Sequence, residues 1–154
     1  MNSLKKAQHY LAEISKQVED LDAEEKLHFL IELGREVPEF PKEYETTENR
    51  VPGCISDAYA IAREENGKLF FQAVAHAAVS QGFVTILLNT LNGLTKEEIL
   101  EKIEPIIDDF LKKSQINASM VPSRMNAFGN VFRFMQKKVR TTGFEPAKGK
   151  ATRP

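Results

Sequence analysis

The chain has 154 residues, 42% of them hydrophobic and 28% charged, with a formal net charge of −1. That balance suits one globular domain with a substantial core, and no run approaches the roughly 18 consecutive apolar residues of a membrane span. A single cysteine, Cys54, excludes an intramolecular disulfide and a multi-cysteine zinc site; His9, His28 and His76 fall on separate segments without i, i+4 pairing, so no metal is expected.

Leu4, Ala7, Leu11, Ile14 and Val18 recur at three- and four-residue steps and predict a first amphipathic helix. Lys5 and Lys6 are followed by Glu13, Glu19, Asp20 and Asp22 rather than by an apolar stretch, so this start does not read as a secretory or transit signal and the chain is expected in the cytoplasm. Asp22 with Glu25 forms the sequence signature of a capping box and opens a second helix. Leu27, Leu30, Ile31 and Leu33 supply its apolar face, and Gly34 and Pro38 end it. Residues 36–50 read as a polar connection.

Asn66-Gly67 separates two strand-like runs and predicts a type I′ hairpin with strands at about 56–64 and 68–75. The many alanines weaken this reading, because alanine is poor on a pleated surface. A short strand before Pro52 can pair with the first of these and leave Cys54 at the connecting bend. From Ala77 the pattern is helical again, with Gly82 inside it at a cost of about 1 kcal/mol against alanine; a close backbone approach would explain it. Asn92-Gly93 closes this helix. Thr95 with Glu98 opens a short helix to Ile103, and Pro105 starts the next, carrying Ile106, Ile107, Phe110 and Leu111. Ser123 is placed to cap a long last helix with Phe128, Val131, Phe132 and Met135 inward. Arg124 falls in its first turn, the unfavourable end for a cation, so it answers to something other than helix stability.

Charge is uneven along the chain. Residues 13–48 hold twelve acidic and four basic side chains, whereas residues 133–154 hold seven basic and one acidic. Beyond Thr141 apolar periodicity vanishes and Phe144 is the only aromatic, so a solvated helix end and a disordered tail are expected rather than a nucleic-acid surface. The expected organisation is one domain over residues 1–140 and a basic tail over 141–154. Its class is α+β: a small antiparallel sheet of about three strands packed with helices.

Chemistry is concentrated in "VPGCIS", residues 51–56. A thiol acts as nucleophile or acceptor only as thiolate and only if reachable. A turn after Pro52-Gly53 gives reach, and Gly53 clears space beside the sulfur. No Lys, Arg or His neighbours Cys54 in sequence, so activation must come from residues brought by folding; His76 and Arg124 are the candidates. Three readings stand on these residues alone: a thiol-exchange centre, an interaction domain with an inert cysteine, or a cysteine hydrolase using Cys54, His76 and Asp57.

"FLIELGREVPEFP" followed by "ENRVPGCISDAY" resembles the SufE family of sulfur acceptors for cysteine desulfurases in iron–sulfur cluster assembly. Ile31-Glu32-Leu33-Gly34 precedes Gly53-Cys54 at the family's spacing. "AHAAVSQGFVTILLNTLNGLTKEEI" and "MVPSRMNAFGNVFRFM" are similar to its downstream helices, so the resemblance covers about residues 25 to 140. It implies a compact fold like that of iron–sulfur scaffold proteins, with the cysteine in a loop at one end of a small sheet. It implies that Cys54 accepts sulfur from the persulfide of a PLP-dependent cysteine desulfurase, stimulates that enzyme, and passes the sulfur to an iron–sulfur scaffold protein. It implies no cofactor on this chain, which acts as a sulfur-transfer accessory and as a monomer or weak dimer. Arg124 would orient the cysteine loop or pair with an acidic group of the partner, and His76 would favour the thiolate. Asp57 is a weaker candidate that can equally cap a turn. Ile55, Tyr59, His76 and Gln81 depart from the residues common in the family, so the tuning of the thiol is expected to be particular to this chain.

Overall fold

A computed structural model describes residues 2–53, 57–117 and 122–142. Two helices, α1 (Ser3–Val18) and α2 (Ala23–Gly34), lead through two short 3-10 turns (Lys42–Tyr44 and Thr47–Asn49) to a hairpin of β1 (Ala58–Glu65) and β2 (Lys68–Ala75). Three further helices follow: α3 (Ala78–Leu91), α4 (Ile103–Ser114) and α5 (Pro122–Thr142). All five helices and both strands contribute to one buried cluster. The class is α+β, as expected. The predicted tail falls almost wholly at 143–154, outside the described residues.

Local chemistry sets the helix starts. Asp22 accepts from the Glu25 N–H at 2.8 Å while Glu25 accepts from the Asp22 N–H at 2.8 Å, a complete capping box. Thr95 and Glu98 repeat it at 2.9 and 3.2 Å. The helix they open does not stop at Ile103. A π turn over Glu98–Lys102 runs directly into α4. Pro105 explains the widened turn: its ring has no N–H for the Glu101 carbonyl and crowds it. Ser123 does not precede the last helix either, because α5 begins at Pro122, a residue whose missing N–H and fixed φ suit a first helical position.

Helix α3 is buried nearly all round, from Val79 through Phe83, Ile86, Leu87 and Leu91, and packs on α1, α2, α5 and β2. Two of its polar side chains are satisfied internally: Thr90 donates to the Ile86 carbonyl at 2.7 Å, and Thr85 to the Leu33 carbonyl at 3.0 Å. Gly82 is the close approach expected from sequence. A Cβ there would run into the Leu30 carbonyl of α2, and one on Gly34 would stand 2.9 Å from the Gly82 nitrogen. On α1, Tyr10 accepts from Asn89 of α3 at 3.1 Å, and burial pushes its phenol above the ordinary value.

The hairpin turns at Asn66 (φ 53°) and Gly67 (φ 78°), as the Asn-Gly signal requires. Ala58, Ala60 and Ala62 pair with Ala75, Ala73 and Phe71, and their side chains line the inner face. The alanines that weakened the strand reading have a packing reason. They present little bulk where α5 lies on β1 and α3 on β2. The outer edge of β2 is closed by the Asn92 side chain on Phe71, Leu94 on Leu69 and Gln81 on Ala75. Among the described residues the sheet has two strands rather than about three. The expected third is reduced to a bridge of Arg50 with Tyr59, since Thr47–Asn49 turns just before it and Pro52 and Gly53 turn just after.

Gly82→Ala must force α2 and α3 apart against backbone rather than against a flexible side chain. It is expected to lower the unfolding free energy by about 3 kcal/mol, read as a fall in the urea midpoint at unchanged slope.

Candidate functional site

Cys54, with Ile55 and Ser56, lies outside the described residues; the frame that carries them does not. The Val51 N–H donates to the Ala58 carbonyl at 2.8 Å, so the two ends of the segment leave from one hydrogen-bonded pair. Arg50 reinforces that neck, with Nε and Nη2 donating to Asp57 Oδ1 at 3.0 and 2.7 Å. Both partners are about half exposed (44% and 50%), so this pair orients more than it stabilises.

A second layer anchors the neck to α5. Asn49 is buried at 6% exposure. Its amide donates to the Tyr44 carbonyl at 3.0 Å and the Thr46 hydroxyl at 3.1 Å, and its oxygen accepts from Lys138 Nζ of α5 at 2.6 Å. Nearer the thiol, Gly53 adopts φ +83°, a region that disfavours other residues. Its carbonyl accepts from Asn130 Nδ2 of α5 at 3.2 Å, and Asn130 Oδ1 accepts from Arg133 Nη2 at 2.9 Å. Gly129 makes room for this. A Cβ there would meet Arg133 Nη1 at 3.1 Å. A glycine within a helix costs about 1 kcal/mol against alanine.

The four residues predicted from sequence are distributed as follows. Asp57 forms the far end of the neck, and its carbonyl accepts from the His76 N–H at 2.9 Å. His76 therefore stands beside the loop, at the end of β2. Its ring does not stand free: Nε2 lies 3.0 Å from Glu45 Oε1, and the edge of Tyr59 approaches it at 6.1 Å between centroids. Tyr59 in turn stacks on the buried Phe40 at 6.5 Å. Arg124 lies in the first turn of α5, and its backbone is about 9 Å along the helix axis from Asn130. Cys54 itself falls between Gly53 and Asp57 in the chain.

Sequence reasoning missed Arg50, Glu45, Asn49, Asn130 and Arg133. The longest-range contacts among them span 77 residues for Asn130 and Gly53 and 89 for Lys138 and Asn49. Gly129 inside a helical pattern was the one local signal available.

Residues 12–139 match a family model described as SufE, Fe-S metabolism associated domain. The chain belongs to the SufE family. It is 34% identical over 117 residues to an uncharacterized SufE-like protein of Synechocystis, covering 76% of this chain and 71% of that one. It is 27% identical over 119 residues to the cysteine desulfuration protein SufE of Wigglesworthia glossinidia brevipalpis, covering 76% and 80%. The solution structure of a hypothetical protein from Thermus thermophilus superposes with a TM-score of 0.67 at 23% identity, over 86% of this chain and 95% of that one, and shares its fold. Among the described residues, no helix is long and apolar enough to cross a membrane.

The two anchors of this SufE-family loop should separate in a denaturation experiment. Asn49→Ala removes three hydrogen bonds around one buried side chain and is expected to lower stability by about 2 kcal/mol. Asp57→Asn weakens an exposed pair and should change stability by less than about 1 kcal/mol.

Proposed function

We propose that this chain is a sulfur acceptor for a PLP-dependent cysteine desulfurase and delivers the sulfur to iron–sulfur scaffold proteins in the cytoplasm. One observation carries this reading in a SufE-family chain. The only thiol in the sequence belongs to a short segment whose two ends leave from one hydrogen-bonded pair, Val51 with Ala58, at the end of the sheet. Such a neck offers a thiol to another protein's active site without unfolding either strand.

The reaction is thiol exchange. The Cys54 thiolate attacks the outer sulfur of the partner's cysteine persulfide. A bond forms between Cys54 Sγ and that sulfur, the partner's S–S bond breaks, and the partner cysteine leaves as thiolate. Cys54 then carries the sulfur as a persulfide, with the proton that was on the outer sulfur. No net oxidant or reductant is consumed, and one cysteine on this chain suffices. PLP stays on the desulfurase, so the acceptor needs no cofactor.

His76 and Arg124 are the side chains we assign to the thiolate. His76 is tied to the loop through Asp57, and Arg124 sits on the helix that holds Gly53. Asp57 serves as a structural end of the loop through its pair with Arg50 rather than as an acid or base.

Intact mass after mixing with a desulfurase and cysteine tests the reading. The wild type should gain about 32 Da, one sulfur atom, and raise desulfurase turnover, while Cys54→Ser should do neither. A wild-type chain with neither adduct nor stimulation is an interaction domain instead. In His76→Ala the pH profile of Cys54 alkylation should move to higher pH. An unmoved profile removes His76 from the set.

A further inference from the structure

The contact between Asn130 of α5 and Gly53 lies at the surface, outside the buried cluster. Asn130 and Arg133 lie three residues apart on the outer side of α5, while Phe128, Val131, Phe132 and Met135 bury its inner side. The atoms that meet are chemically ordered. A guanidinium carries donors only, so the atom of Asn130 that faces Arg133 must be the amide oxygen. The amide NH2 is thereby turned toward the Gly53 carbonyl, which can only accept. That carbonyl is one half of the peptide bond to Cys54.

Two glycines ease the arrangement. Gly53 adopts φ +83°, where a Cβ would also stand 3.1 Å from Asn130 Nδ2. Gly129 leaves the space into which Arg133 folds back. Both are local departures from what strand or helix stability asks for, and both border the Asn130–Arg133 pair. Departures of this kind concentrate at functional sites.

We infer that Asn130, oriented by Arg133, is a positioning residue for sulfur transfer: it holds the Gly53 carbonyl and so restrains the point from which the chain enters Cys54. This inference rests on the sulfur-acceptor reading for the reaction it serves, but the restraint on Cys54 can be measured without any desulfurase. The bond is exposed, so water replaces it at little cost to stability. Loss of that restraint, by contrast, acts directly on the rate of an in-line displacement.

The test uses the full chain with Asn130→Ala, Asn130→Asp and Arg133→Ala. Asn130→Asp keeps the shape and loses the donor. In single-turnover transfer from a persulfide-loaded desulfurase, both Asn130 variants should be about tenfold slower. The half-saturating desulfurase concentration and the thermal midpoint should stay at the wild-type values. Arg133→Ala should fall between, because the Asn130 amide is then free to turn. Alkylation of Cys54 by a bulky maleimide, without desulfurase, should become several-fold faster in both Asn130 variants. Wild-type transfer rates overturn the inference, as does a loss of transfer that follows the thermal midpoint. A weakened half-saturation at full rate also overturns it and makes Asn130 a docking residue. If the wild type takes up no sulfur, the sulfur-acceptor reading falls, and the alkylation arm decides for Asn130. Altered rates keep it as a restraint on Cys54, and unaltered rates remove it.

Discussion

The backbone-to-backbone crossing of α2 and α3 at Gly34 and Gly82 is the constraint on which the rest depends. No side chain fits between the Leu30 carbonyl and Gly82. The two helices are therefore locked at near-minimum separation, and α3 is enclosed on all sides by α1, α2, α5 and β2. An enclosed α3 fixes β2, because Gln81 closes the end of that strand at Ala75 and Asn92 closes it at Phe71. Once β2 is fixed, β1 follows by register, and the end of the sheet at Ala58 and Ala75 becomes a rigid platform. The cysteine segment leaves from that platform.

What holds the segment differs in kind from what holds the core. Core residues such as Leu30, Phe83 and Ile103 are fully enclosed, each worth on the order of 2 kcal/mol in removed apolar surface. The neck is held by Arg50 on Asp57, Val51 on Ala58, and Asn130 on Gly53. The first and last of these are exposed, each contributing at most about 1 kcal/mol. Asn49, buried and bonded to Lys138, ties this region to α5 strongly. A rigid base with weakly held connections suits the sulfur-acceptor role proposed above.

The sequence was most readable where the signal is local. Asp22 with Glu25, Thr95 with Glu98, and Asn66-Gly67 each specify a backbone geometry within four residues, and each appears as expected. Gly82 was readable as a close approach because a helix-interior glycine needs a reason. The readings that changed all involve competition between neighbours. Pro105 signalled a helix start, but the preceding turn widened to absorb it and the helix ran on. The stretch before Pro52 had the makings of a strand, but turns on both sides left one bridge. The alanines of the hairpin argued against strands in isolation and are suited to them beneath α3 and α5. Of the candidate site, the turn at Pro52-Gly53 was visible, while Cys54 itself lies outside the described residues. Asp57 and His76 meet across the sheet end, but His76 is also held by Glu45, which no spacing in the chain foretold.

By itself, the sequence determined the class of the fold, the helix starts at Asp22 and Thr95, the hairpin turn and the place of the only thiol in the chain, because periodicity, capping and turn chemistry act between residues a few positions apart. It also carried the ordered motifs of the SufE family. Tertiary structure decided which side chains hold the two ends of the cysteine segment. Asn130 reaches Gly53 and Lys138 reaches Asn49 only because α5 packs along β1. Contacts between residues so far apart in the chain depend on the packing of every element between them, and beyond Gly129 a single sequence carries no local mark of that.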